Sequence, residues 1–484
     1  MQTPTLRGLA LRTLLPAFPG VQPPEWARRL AREGIGGFAL FGYNIADLEQ
    51  VAALTAALRV ERPDMIIATD EEGGDVTRLS YAHGSRYPGN AALGVVDDLA
   101  LTRDVYRAIG ADLAAVGITL DMAPSVDVNS ADDNPAIGTR SFAADPTRVA
   151  AHGAAAVVGL QSAGVAACAK HFPGHGATEA DSHVGLPVVD ASEDLLWRRE
   201  LPPFRAAIDA GVLAIMTAHV RVPALTGDLA ATFSPDVLGR LLRKELGFTG
   251  AVVSDGLEMG GASDEIGVPE AAVRALLAGN DLLCFGGELP KYADVESIVE
   301  ATVAAIVDAV HAGRLTRDRL EEAVARTDAL SRPPTVRVDG VDPDLGLVAA
   351  RRALRVEGTL PPALPEGLVI QLEPPAPVAV GEVPWGLATH VPGVETLRLL
   401  GEPLNVDAIL ARAEGRPLVL VSRDTHRHPH ARALAEALSA RHPAVVLVEM
   451  GWPAVWRPAG ALAYVATYGS APVNARAAAE ILLG

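Results

Sequence analysis

Only two cysteines, Cys168 and Cys284, occur among 484 residues, and both lie in apolar runs. That excludes a disulfide framework, and the pair reads as inert buried thiols that a reducing compartment permits. Positive charge is also scarce: 41 Lys and Arg stand against 59 Asp and Glu, for a net charge of -18. Such a chain repels phosphate backbones and anionic lipid, which argues against nucleic acid or a membrane surface as main partner and leaves a neutral sugar open. No stretch approaches about eighteen uninterrupted apolar residues, so no membrane span is expected. Arg7 and Arg12 interrupt the mildly apolar start, Met1 to Phe18, and no small-residue cleavage site follows. It reads as a first strand and not as an export signal, which makes the cytoplasm the expected location. There is no internal repeat and no low-complexity tract.

What the chain has is material for a core, with 49% hydrophobic and 21% charged residues. Its length exceeds what a single core usually supports, so two domains are expected. Strand-like runs at 7–15, 35–41, 65–70, 117–122, 165–170, 213–218, 250–255 and 281–285 alternate with helix-period stretches such as 47–59, 98–115, 145–162, 193–210 and 292–312. Eight such units over 1–330 predict a catalytic (β/α)8 TIM-like barrel, with a doubly wound open sheet as the alternative. Asp70, Asp121, Lys170, His219 and Asp255 fall at or just after successive strand ends, where a barrel would bring them to one mouth. Pro-rich stretches at Ser331–Pro334 and Pro361–Pro365 bracket a linker, 331–366, carrying one helix at about 343–356. Residues 367–484 alternate apolar runs with helical stretches and predict a smaller α/β sandwich domain with a largely parallel sheet.

Four stretches carry chemistry. Ala169-Lys-His-Phe-Pro-Gly-His-Gly-Ala-Thr-Glu-Ala-Asp-Ser-His183 puts one Lys, three His and two Gly into a loop after an apolar run, a composition foreign to a helix interior or a buried strand. Its closing Asp181-Ser-His183 suits proton transfer, because a carboxylate can fix an imidazole's tautomer and stabilise its protonated form. Gly250-Ala-Val-Val-Ser-Asp-Gly-Leu-Glu-Met259 is a buried-type strand that delivers Asp255 into a glycine-containing loop. Displacement at an anomeric carbon needs a carboxylate on one face and a proton donor near the leaving oxygen, and Asp255 can supply the first. Asp70-Glu-Glu-Gly-Gly-Asp-Val-Thr-Arg-Leu79 offers Asp70 and Arg78 as charge-assisted partners for sugar hydroxyls. The fourth stretch, Ala123 to Asn129, continues to Asn134 and on to Arg140-Ser141-Phe142. Each has a plainer reading as a capping or solvated loop.

Together, and in the order they take along residues 70 to 259, these stretches resemble the β-N-acetylglucosaminidases of glycoside hydrolase family 3. The resemblance rests most on Lys170 to Gly176 followed by Asp181-Ser182-His183. It implies that Lys170, His171 and Arg140 bind sugar, that His183 is the acid/base with Asp181 as its partner, and that Asp255 is the nucleophile. Asp127 is implied only to hold its loop, and Gly256 stands where many members carry a second Asp. The expected activity is retaining, exo-acting removal of terminal GlcNAc from cell-wall fragments or chitin oligosaccharides, without a cofactor or metal. Three alternatives stay open. A β-N-acetylglucosaminide phosphorylase would use the same groups with phosphate as acceptor. A zinc-dependent barrel hydrolase could recruit His171, His175, Asp181 and His183, although Pro173 and Gly174 make helical ligand spacing improbable. A non-enzymatic sugar-binding module would leave the carboxylates idle. His426, His428 and His430 also invite a metal reading, but beside Pro429 they read as a solvated loop.

Overall fold

The structure is a computed structural model that describes residues 4–178, 180, 185–287, 294–331, 340–362, 364–374, 376–400 and 405–483. The chain divides into two compact units, both discontinuous in sequence. The first comprises Met1–Glu72, Leu99–Ile137 and Ala143–Val341; the second gathers Gly73–Asp98, Gly138–Phe142 and Asp342–Gly484.

In the first unit eight strands follow in order: β1 (Leu14–Pro16), β2 (Gly37–Leu40), β3 (Ile66–Thr69), β4 (Leu120–Asp121), β5 (Ala166–Phe172), β6 (Ala214–Thr217), β7 (Ala251–Ser254) and β8 (Leu283–Phe285). Strands β2 to β7 form a parallel sheet in sequence order, and β8 pairs in parallel with β1. A parallel bridge between Val253 and Leu282 joins β7 to the start of β8, while Gly36 N donates to Leu11 O just outside β1 and β2. The sheet thus curls into the expected TIM-like (β/α)8 arrangement. Alternate side chains of successive strands point inward, and small Ala39, Ala68, Ala166 and Ala214 share the centre with Met216, Val253 and Cys168. Gly37 is required where β2 meets β3, because a Cβ there would lie 2.2 Å from Ile66 O.

Helices cover the outside. Pro146–Ser162 starts with Asp145 accepting from Arg148 N and with Pro at its first turn, where a missing N–H costs nothing. Two sequence expectations need correction here. Residues 7–15 were expected as the first strand, but Leu6–Arg12 is a helix capped by Thr5, and only Leu14–Pro16 pairs. Arg7 and Arg12 lie on its outer side, bonded to Glu300 and Asp328, while Leu9, Ala10 and Leu11 are buried. The helix expected over 193–210 is two, Glu193–Arg199 and Leu201–Asp209, because Pro202 and Pro203 cannot continue the first ladder.

The second unit holds a six-stranded sheet made of β9 (Arg355–Gly358), β10 (Leu368–Leu372), β11 (Glu395–Leu399), β12 (Leu418–Ser422), β13 (Val445–Glu449) and β14 (Ala463–Ala466). Its order is β11-β10-β12-β13-β14-β9, parallel throughout except for β9. Helix Pro472–Leu483 packs on the face of Val419 and Val446; Val406–Ala413 and Pro429–Arg441 pack on the face of Leu420 and Leu447. Within the stretch expected as a linker, Leu345–Ala353 is helical as anticipated, and β9 after it joins the sheet edge. Among the described residues no helix is long and apolar enough to cross a membrane.

Candidate active site

β5 carries Lys170 and His171 to its carboxyl end, and both are buried. The Lys170 ammonium lies 2.6 Å from Asp70 Oδ1 and 2.8 Å from Glu72 Oε1. A cation only 2% exposed is tenable because two carboxylates flank it, and removing Lys170 would leave both of them without their counter-charge. Asp70 and Glu72 follow β3, two strands away from β5 across β4, so separate parts of the sheet edge are tied together by charge.

His171 is oriented by Asp127. Its Nδ1 is 2.7 Å from Asp127 Oδ2, and Asp127 Oδ1 accepts from His175 N at 2.7 Å. Ser125 Oγ and His171 N add further bonds to the same carboxylate. Burial alone would push Asp127 up, but the charge and hydrogen bond of His171, reinforced by His175, bring it down to about 2. An ionised Asp127 accepts from Nδ1–H and so fixes the imidazole's tautomer. Asp127 therefore orients a candidate sugar-binding side chain as well as pinning the loop.

Asp255 directly follows β7. Its Oδ1 accepts from Gly256 N at 2.8 Å, and its own N–H donates to Thr217 O at the end of β6. Cys168, inside the barrel, registers how closely these groups gather. Burial pushes its thiol up, Lys170 opposes, and the charges of Asp70, Asp121 and Asp255 add to the rise. Asp121 ends β4 with no exposure; burial holds its carboxyl well above the usual range, and Oδ1 accepts from Glu71 N. Four strand ends thus present Asp70, Asp121, Lys170 and Asp255 to one interior.

The remaining predicted residues are placed differently. Arg78 and Arg140 belong to the second unit; Arg78 donates to Ala379 O at 2.8 Å, and the Arg140 carbonyl accepts from Asn90. Asp181 and His183 lie outside the described residues. The His171 and His175 rings meet edge to face with centroids 6.0 Å apart, while their Nδ1 atoms are engaged by Asp127 and Thr178. Among the described residues no group of three or more His, Cys, Asp or Glu is arranged to hold a metal ion. Sequence reasoning missed Glu72, the second partner of Lys170, and Glu200, which is buried against the loop. A Cβ on Gly174 would lie 2.7 Å from Glu200 Oε2.

Carboxylates, a buried lysine and an oriented histidine at the strand ends of a TIM-like barrel mark the end of the barrel where such folds place an enzyme's active site. The chain belongs to glycosyl hydrolase family 3, whose N-terminal domain matches residues 20–330. It is similar to the beta-hexosaminidase A of Pseudoalteromonas piscicida, 36% identical over 326 residues that cover 63% of this chain and 54% of that protein. The chain thus matches about half the length of that relative. A beta-hexosaminidase of Thiobacillus denitrificans is 38% identical over 271 residues, covering 54% of this chain and 75% of that one. The solved glycoside hydrolase family 3 beta-N-acetylglucosaminidase of Paenibacillus sp. str. FPU-7 superposes with a TM-score of 0.89 at 33% identity, covering 100% of this chain and 97% of that one.

Proposed function

We propose that this protein is a retaining, exo-acting β-N-acetylglucosaminidase that removes terminal GlcNAc from cell-wall fragments or chitin oligosaccharides, acting in the cytoplasm. One observation carries the reading: Asp255 stands at the same strand edge as the buried Lys170–Asp70 pair and the His171–Asp127 pair. The names of the relatives support the same substrate class. An Asp255 oxygen bonds to the anomeric carbon as the bond to the leaving oxygen breaks, and that oxygen takes a proton from His183. His183 then removes a proton from water, whose oxygen bonds to the same carbon and releases Asp255 with retention. Asp181 stabilises the imidazolium, and Lys170, His171, Asp70, Arg78 and Arg140 hold sugar hydroxyls. The roles of Asp181, His183, Arg78 and Arg140 rest on the family's motif.

An imidazole base accepts its proton without adding a like charge beside an incoming anion, so phosphate could replace water as acceptor. The deciding experiment combines product mass spectrometry on a panel of β-N-acetylglucosaminides, with and without phosphate, and a slow fluorinated glycosyl label. Free GlcNAc in both conditions and a label on Asp255 are expected. GlcNAc 1-phosphate as main product would replace the hydrolase with a phosphorylase, and a label on Glu258 or Asp70 would overturn the nucleophile.

A further inference from the structure

His219 is wholly buried just beyond β6, and nothing in the reaction described above uses it. Its Nε2 lies 3.0 Å from the Gly256 carbonyl oxygen and its Nδ1 2.9 Å from Thr232 Oγ1. A carbonyl oxygen only accepts, so Nε2 carries a proton. The Thr232 hydroxyl is also 2.9 Å from Ala218 O, which lets it turn toward the carbonyl or toward Nδ1. Behind it, buried Asn280 donates to Thr232 O at 2.9 Å and accepts from Thr217 Oγ1 at 3.1 Å.

The other end of this chain of bonds is the candidate nucleophile. Gly256 N holds Asp255 Oδ1, and Asp255 N is held by Thr217 O. Gly256 has no side chain to pack and the freest backbone of any residue, so hydrogen bonds hold this turn: Gly256 O accepts from Met259 N at 3.0 Å as well as facing His219, and Leu257 N donates to Cys284 O at 2.9 Å. His219 supplies one from β6 across to the loop after β7. We propose that His219 is a positioning residue for Asp255: its Nε2–H helps to hold the Gly256 carbonyl, and so anchors the turn after β7 from which the Gly256 N–H reaches the carboxylate. The inference rests on Asp255 being the nucleophile. Because these bonds act on the attacking group and not on the groups assigned to sugar binding, the defect on losing them falls on covalent bond formation. Binding of the sugar is spared.

Two substitutions separate this from a merely filled core position. The amide of His219→Gln reaches the place of Nε2 and can still donate to Gly256 O; that of His219→Asn reaches only the place of Nδ1. The rate of Asp255 labelling by the fluorinated glycoside, and competitive inhibition by GlcNAc, are measured on the full-length wild type and both variants. His219→Asn is expected to slow labelling by roughly tenfold to a hundredfold, the scale of a misplaced reacting group, with the GlcNAc inhibition constant unchanged and with His219→Gln recovering most of the rate. Equal labelling rates in all three proteins overturn the proposal. So does a parallel loss of labelling and GlcNAc binding that Gln fails to rescue. Labelling of a different residue in the wild type sinks the nucleophile assignment instead, which keeps the two failures distinct. Should His219→Asn fail to fold, ¹⁵N NMR of the wild-type imidazole decides: a proton on Nε2 is expected, and its absence refutes the contact.

Discussion

Replacing Asp127 by Asn keeps the shape of the side chain and removes its charge. In the native protein the carboxyl titrates at about 2, because His171 and His175 outweigh the burial that opposes ionisation. An unfolded chain would hold it near 3.9, so the difference corresponds to about 2–3 kcal/mol of stability at neutral pH. The sign follows from the lowered value: the contribution is complete above about pH 4 and is lost as pH falls through about 2. Asn can still accept from the backbone of His171 and His175 through its oxygen. Its amide hydrogens, however, confront the Nδ1–H of His171 and force that ring to move its proton or turn away. Urea unfolding of wild type and Asp127→Asn, followed by tryptophan fluorescence, should show a gap of about 2–3 kcal/mol near neutrality that shrinks steadily below about pH 4. Equal stability near neutrality, or a gap that ignores pH, would refute the account of this carboxylate.

Glu200 should behave in the opposite sense. Burial raises it to about 7, with Arg199 opposing and Asp127 adding to the rise. Its ionised form is disfavoured in the fold, so stability is lost as pH climbs from about 4.5 and the loss is complete above about 7. The stability of Glu200→Gln relative to wild type should therefore improve by about 3 kcal/mol between mildly acidic and mildly basic pH in the same urea assay; a flat difference would contradict it. His183→Ala should slow substrates with poor leaving groups about 10²–10⁴-fold while sparing activated aryl glycosides. Equal losses in a leaving-group series would shift attention to Glu179 or His175 as proton donor.

The later barrel strands were legible because Ile66–Thr69, Ala251–Ser254 and their neighbours are short buried runs closed by glycine or polar residues. β1 was not, since Leu9, Leu11, Leu14 and Leu15 are all buried and an apolar run does not announce where a helix gives way to a strand. β9 escaped for the reverse reason: all four of its residues are exposed, so no inward face marks it. At the site, Lys170 and Asp70 were each read as candidate sugar-binding residues, whereas nothing in the acidic turn singled out Glu72. Only the fold shows that it is 2% exposed and bonded to Lys170. Asp127 could be seen to hold a loop, but its grip on His171 is a contact between separate strand ends that no local spacing reveals.

The interleaving of the two units bears on how the chain matures. Gly73–Asp98 and Gly138–Phe142 leave the ribosome long before Asp342, yet their packing partners lie beyond it. Asp75 accepts from the backbone and hydroxyl of Ser470, the Tyr81 hydroxyl accepts from Glu382 N, and Gly346 presses so closely on Arg86 O that a Cβ would not fit. These contacts cannot form until the last third of the chain has been made. A gene shortened to encode only the barrel strands would orphan the segments that carry Arg78 and Arg140. The C-terminal sequence thus acts as a late-arriving template for these early segments, and mutations far downstream can disturb their packing.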